Sequence, residues 1–523
     1  MPLLRIRGRL GGRGARRAML VTGVVSALVI GVSVGVYAAA TPSGTGPGGC
    51  FDPSAAPYLA IPNDGQDDAP KIQAAIDDIA TANGGTLCLG AGHWTIGRAK
   101  VPHNVHSGLS THSAHLTITG SGPGTVLDLV GDQGRSDISV ISLDPGASDV
   151  RIERLAIDTS AARNTDVQTH AIGIGSAACP GGGDDCGLAV TDVTVRDVTF
   201  RHPVQTDGTL KGDCIRIFGQ RPTMPVKRVT IAGSSFLDCD RSGIAVQRNV
   251  VSLAVVDNHF GEKIGDTAFD SEATGGGDDE GLRLIGNSFA DSTVNTSASI
   301  TSYHHVVVSG NTFSGRGLAL YRSSDVIVAD NTFDVTEATG IGVIDAENVS
   351  DNVKIDNNII RRHGVAGPGV YVIPHSGGIP GPVSITNNTM VLDTNADAIY
   401  ADGVRGISVR DNDITFVNPA PDASGVHLQA INGPINRAMI TGNTITGPLS
   451  AAGGNTYFAA VRLDARPQPF GDITVAMNSA RGANRSFTCS QSGAGLFPQP
   501  IISFGNRWTV APTCTVAPIQ PGQ

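Results

Sequence analysis

Gly310-Asn311-Thr312-Phe313 and Asp330-Asn331-Thr332-Phe333 are two copies of one phrase: a turn residue, an asparagine, any residue, then a bulky apolar one. Other clear copies read Asn258-His259-Phe260, Asn287-Ser288-Phe289, Asn412-Asp413-Ile414 and Asn443-Thr444-Ile445. The apolar anchors of neighbouring copies lie 20 to 31 residues apart. Recurrence at that period marks stacked supersecondary units, none of which can bury its apolar face alone. Between the copies run short alternating segments such as Gly243–Arg248 and Gly425–Gln429, with no helical pattern of useful length. Strands of five or six residues, polar turns and one asparagine per unit predict an all-β chain, a parallel β-helix. In such a coil each asparagine stacks on the next along the axis.

Composition agrees with this fold. Of 523 residues 67 are glycine, 40% are apolar, 16% are charged and 5% are aromatic. The chain is too apolar for disorder and too rich in glycine and asparagine for a helical bundle. Its core is expected to be a thin stack of Val, Ile, Leu and Phe.

Six arginines, at 5, 7, 9, 13, 16 and 17, precede an uncharged stretch from Ala18 to Ala40 that ends in three alanines. This reads as an export signal cleaved near residues 38–40, with an uncleaved membrane anchor as the alternative. The pair Arg16-Arg17 suggests twin-arginine export. Residues 41–56 read as a linker, 57–100 as an N-terminal cap with the first strand, 101–480 as the body and 481–523 as a closing segment that includes Trp508. The body therefore lies outside the cytoplasm, secreted or held by its N-terminus.

All eight cysteines fall beyond the leader and none has metal-binding CxxC spacing, which favours disulfides over zinc. Pairing neighbours gives Cys50–Cys88, Cys179–Cys186, Cys214–Cys239 and Cys489–Cys514. The net charge of −10 becomes −16 once the six leader arginines are set aside. An acidic surface argues against nucleic acid and mildly against anionic polysaccharides, unless a local basic groove overrides it.

The segment Asn63 to Asp78, followed by Gly84 to Gly92, resembles the opening of the pectate-lyase-like superfamily of right-handed parallel β-helix proteins. Locally, Asp67 or Asp68 precedes a short helix with Pro70 in its first turn, and Ile72, Ile76 and Ile79 share one side. That helix would plug the open end of the coil, with Thr86–Leu89 as the first strand. The resemblance implies the fold and leaves the chemistry open, since such proteins include hydrolases, lyases, epimerases and tailspikes. Lys211–Ile215 and Gln205–Gly208 are similar to two polygalacturonase motifs. One aspartate of the pair is missing, and Ser242-Gly243-Ile244 stands where Gly-His-Gly is expected.

Chemistry has to come from the outward face. Alternation within strands turns out Arg216/Phe218, Ala245/Gln247, Asp270/Glu272, Thr301/Tyr303, Ala319/Tyr321, Tyr371/Ile373, Tyr400/Asp402, His427/Gln429 and Arg462/Asp464. Asp270 and Glu272 form the one rung with two acids. Like charges raise one pKa, which keeps one acid protonated beside an ionised partner. Paired carboxylates suit glycosidic cleavage, and a separation of about 6.6 Å along a strand leans toward inversion. Asp213 is a candidate third acid. Gln247, Arg248, Tyr303, His304, Tyr321 and Arg322 are candidate sugar-binding residues, and a tyrosine row through Tyr371 and Tyr400 is a candidate stacking surface. Cation binding and plain ion pairing are the alternatives for the two acids. No cofactor is expected; calcium at Gly275–Glu280 is the alternative.

Three functions follow. The leading one is a glycoside hydrolase of a neutral or weakly charged polysaccharide. A lyase or uronate epimerase is second, disfavoured by only six lysines. A non-catalytic glycan-binding scaffold is third.

Overall fold

The computed structural model describes residues 45–521 except 47–48, 98–106, 132–137, 163–167, 176–178, 180–184, 202–211, 273–278, 292–295, 337–343, 348–349, 365–366, 375–378, 394–395, 420–421, 449–457, 494–495 and 515–518. The leader and its apolar stretch lie outside these residues. No helix among the described residues is long and apolar enough to cross a membrane.

Nearly all of the described secondary structure is parallel β. A typical coil contributes three strands, as in Leu318–Tyr321, Ser324–Ala329 and Thr332–Val335. The first strand of each coil joins a 15-stranded sheet, and the other two join a continuous sheet wrapping the remaining faces. Each strand pairs in register with its equivalent one coil on, as in Phe313↔Phe333 and Phe333↔Ile360.

That register explains the repeated phrase. Phe200, Phe236, Phe260, Phe289, Phe313 and Phe333 stack face to face inside the coil, 4.6–4.8 Å between centroids. Ile360, Met390, Ile414 and Ile445 continue the same column. The residue before each asparagine turns the corner with positive φ, 66° at Gly286 and 65° at Gly310, a conformation glycine adopts without penalty. Asp257, Asp330 and Asn357 hold it too, as short polar side chains can.

The asparagines form a buried ladder from Asn258 to Asn506. Asn331 is typical: its Oδ1 accepts from the backbone N–H and the Nδ2 of Asn311, both at 2.9 Å. Its own Nδ2 donates to Val308 O at 2.9 Å, Ala329 O at 3.0 Å and Asn358 Oδ1 at 3.0 Å. Asn331→Ala strands the Asn311 N–H and the Val308 carbonyl in the core. At roughly 1–3 kcal/mol for each unmet buried group, the loss should reach about 3 kcal/mol. The urea unfolding midpoint checks this, with exposed Asn436→Ala as the near-neutral control.

The N-terminus is plugged by the helix Ala69–Thr81, which has Pro70 in its first turn and Ile72, Ile76 and Ile79 buried. Its preceding Asp68 is not a side-chain cap. The carboxylate instead accepts from the Ile61 and Thr95 N–H groups, tying the loop to a strand, while Asp67 accepts from Ala69 N–H at 3.1 Å. The parallel stack begins before Thr86–Leu89. Cys50–Phe51, inside the stretch read as linker, pairs with Thr86–Leu87. All four neighbour disulfides are present, between Cys50 and Cys88, Cys179 and Cys186, Cys214 and Cys239, and Cys489 and Cys514. Such cross-links belong to oxidising surroundings outside the cytosol.

Candidate functional site

The 15-stranded sheet carries the site on its outer surface. Its register runs Arg216↔Ala245↔Asp270↔Ser299↔Ala319 in one outward column and Gln247↔Glu272 in the next. Thr301↔Tyr321 extends the second column further along. Asp270 therefore has small neighbours on both sides, Ala245 before it and Ser299 after it.

Glu272 is held by protein donors on both oxygens: Arg241 Nη1 at 2.7 Å and Gln247 Nε2 at 2.8 Å. Arg241 also forks onto Asp213 through Nε at 2.7 Å and Nη2 at 2.8 Å. The Asp213 N–H donates to His170 Nδ1 at 3.1 Å, and His170 Nε2 faces Arg216 Nη1 at 3.4 Å. Arg216 closes the circuit by donating to Gln247 Oε1 from Nε at 3.1 Å and Nη2 at 2.9 Å. Six side chains on four successive rungs thus form one ring of polar contacts that roofs Ala245.

Asp270 stands beside this ring and makes no hydrogen bond to a described residue. Burial, then the charges of Glu272 and Asp266, push its carboxyl up to about 7 against the opposing pull of Arg241. Glu272 keeps a donor on each oxygen. One strand therefore presents a carboxyl that holds its proton near neutral pH and a second acid whose oxygens are fixed by protein donors. The first is suited to proton donation.

Asp213 does not reach the surface. It is fully buried under Arg241, and although burial pushes its pKa up, hydrogen bonds with His170 and Arg241 hold it at about 2. It is a buttress of the ring, not a third acid. Gln247 belongs to the ring, and Tyr321 stands half-buried two rungs beyond Glu272. Tyr303 is wholly inside the coil, so it cannot touch a sugar. The alternation was extrapolated through a corner: the strand ends at Thr301, Ser302 turns with φ 58°, and Tyr303 opens the next strand pointing inward. His304 follows it onto that other face and bonds Ser324 Oγ at 2.5 Å. Arg322 occupies the same corner one coil on, exposed, with φ 54°. Arg248 also sits at this corner, but its guanidinium folds back over Phe218, 4.9 Å from the ring centroid.

Arg241 and His170 were missed. Arg241 precedes its strand, Ile244–Gln247, and His170 stands in Thr169–Ile174, one coil before the first outward pair, Arg216/Phe218; no local motif marks either. Among the described residues no group of three or more His, Cys, Asp or Glu could hold a metal ion. Most of the calcium candidate, residues 275–278, lies outside the described residues.

Farther along the column, Tyr371 and Tyr400 pair in register, but their rings stack on each other at 5.4 Å and the edge of His427 meets Tyr400 at 5.2 Å. Tyr400 is packed between the Tyr371 and His427 rings, so it does not stand free for stacking as expected. Instead it leads into a buried ionic cluster. His427 Nδ1 lies 2.8 Å from Asp397 Oδ2 and its Nε2 lies 3.2 Å from Asp464 Oδ2. A neutral imidazole has one N–H, so both bonds together need the imidazolium. Burial alone would lower the His427 pKa; the two carboxylates outweigh it and raise it. The linked stability is fully present below the ordinary histidine value of about 6.5 and is lost as pH climbs through the raised folded value. The urea midpoint should fall from pH ~6 to ~9 in the native protein, and His427→Gln should flatten that fall.

No curated protein matches the chain. Among solved structures, the A-module of a mannuronan C-5 epimerase from Azotobacter vinelandii aligns over 90% of this chain and 100% of its own, at 16% identity and TM-score 0.39. A GH87 alpha-1,3-glucanase catalytic unit from Streptomyces thermodiastaticus covers 89% of this chain and 70% of its own, at 14% identity and TM-score 0.35. ORF18 of Geobacillus virus E2 covers 62% and 59%, at 13% identity and TM-score 0.43. Likenesses this distant leave the chemistry to the chain's own residues. Residues 189–389 match the family model described as a right handed beta helix region, which is the fold of the coils described above.

Proposed function

We propose that the protein is an exported carbohydrate-active enzyme, a glycoside hydrolase that cleaves a polysaccharide lying along the outer face of the 15-stranded sheet. The carrying observation is the one-strand pair: Asp270, protonated up to about pH 7, beside a Glu272 fixed by Arg241 and Gln247. Asp270 protonates the departing glycosidic oxygen. Glu272 takes the proton of a water that attacks the anomeric carbon, using the lone pairs left free by its two protein donors. A spacing of about 6.6 Å along the strand sits at the lower end of the range that admits such a water, which favours inversion. The small side chains of Ser299 and Ala319 follow Asp270 in its column, which leaves room for a sugar on that side of the acid, with Tyr321 in the column beside them. The purified exported part, incubated with a panel of polysaccharides, should release reducing ends without absorbance from unsaturated uronates. Absorbance would indicate elimination, and binding without any product would indicate a non-catalytic scaffold.

A further inference from the structure

We propose that the recess around Leu237 and Asp238, on the face that precedes the acid pair in the winding, is a second glycan site for a short uncharged stretch of saccharide. It goes beyond the hydrolase reading and does not depend on it.

The recess encloses about 570 Å³, a volume in the usual range for a ligand pocket. The ends of four strands line it: Ser148–Ala162, Val190–Arg201, Ser235–Cys239 and His259–Ile264. These strands do not run past one another evenly. Their register slips between Phe200 and Arg201 and again between Phe236 and Asp238. Such a bulge re-aims side chains. Here it turns Leu237 and Asp238 outward together, against the alternation, and leaves Leu237 38% exposed.

The polar lining alternates acceptor with donor. Asp158, Arg201, Asp238 and Lys263 stand opposite one another on four successive rungs. Opposite charges one rung apart usually close onto each other. These do not: none of the four makes an ion pair with a described residue. Asp158 accepts only from the Ser160 N–H at 2.8 Å, and Oδ1 of Asp238 is buried without a partner. Burial raises the Asp238 pKa, with Lys263 pulling the other way and Asp158 adding to the rise. The neighbouring acids do not complete the column. Asp128, opposite Asp158, is taken by His93 at 2.6 Å, and Glu262 stands exposed beside Lys263.

A sugar hydroxyl both donates and accepts. A saccharide edge therefore matches a column in which carboxylates and cationic donors alternate. An anion or a cation would meet its own sign at every second rung. The C–H face of a pyranose ring is apolar and fits the exposed Leu237, with Ala290 beside it in the lining. Charge alternation and an apolar platform in one recess select a neutral polyhydroxyl ligand.

The test is calorimetric titration with neutral hexasaccharides of glucose, mannose, galactose and xylose. Glucosamine and uronate hexasaccharides are the charged controls. The protein is the full chain carrying Asp270→Asn and Glu272→Gln, so that the proposed acid pair is disabled. At least one neutral hexasaccharide should bind, with an affinity nearly independent of salt. Leu237→Asp and Arg201→Ala, both at exposed positions, should each weaken that binding at least roughly tenfold. The site is overturned if no neutral hexasaccharide binds, if both variants bind as before, or if a charged control binds tenfold better through the same two residues. Binding that needs Leu237 and Arg201, in a protein whose wild type cleaves no polysaccharide, upholds the recess and overturns the hydrolase reading instead.

Discussion

Asp270→Asn should lower turnover by about 10²–10⁴, the usual loss on removing a positioned proton donor, while the unfolding midpoint stays near that of wild type. Both halves of that expectation come from geometry. Asp270 makes no hydrogen bond to a described residue, so an isosteric amide disturbs none of the ring of contacts beside it. Yet it is the carboxyl whose burial and acidic neighbours keep it protonated up to about 7. In wild type the rate should hold below that value and fall about tenfold per pH unit above it. Glu272→Gln provides the internal check. It removes the largest charge acting to raise the Asp270 pKa, so any residual activity should lose its alkaline limb at lower pH. A Glu272→Gln profile unmoved from wild type would mean that Asp270 is not the titrating group, and the assignment would fall.

The fold could be read in the sequence because its signal is repeated. One asparagine and one bulky anchor per coil obey the same physics at every rung, so the spacing of Asn311-Thr312-Phe313 and Asn331-Thr332-Phe333 predicted a stack that the structure contains. Nearest-neighbour cysteine pairing worked for the same reason: residues about one coil apart in sequence lie side by side in space, as Cys214 and Cys239 do. The site was legible only within a strand. Asp270, Glu272 and Gln247 share a face because alternation is a local rule. Corners broke the rule. Ser302, with positive φ, resets the phase and sends Tyr303 into the core, and no residue type at 302 announces it. Arg241 was invisible because its partners Asp213 and Glu272 sit 28 and 31 residues away in opposite directions. Only the winding brings the three together.

Arg241→Met should destabilise the protein by roughly 3–5 kcal/mol, because it strands a wholly buried carboxylate. Asp213 is tolerable in the core only while Arg241 forks onto both its oxygens with His170 beside it. With the arginine gone, His170 alone opposes the desolvation that favours the neutral acid, so the folded-state pKa of Asp213 should rise and its stabilising contribution should shrink. In wild type the Asp213 pKa is depressed to about 2, so its contribution is present above the ordinary carboxylate value and lost only as pH falls through about 2. In Arg241→Met the folded-state pKa moves up from that depressed value, so the same carboxyl adds less to the fold as pH rises. The stability deficit should therefore be smallest in acid and widen toward neutrality, read from urea midpoints between pH ~4 and ~7. The double variant Arg241→Met, Asp213→Asn separates the causes. It removes the stranded charge and should recover most of the stability, yet it leaves Glu272 without its fixed donor, so turnover should stay low. Recovery of both would reduce Arg241 to a neutraliser of buried charge. Recovery of stability alone would assign it the second task of fixing the Glu272 carboxylate beside Asp270.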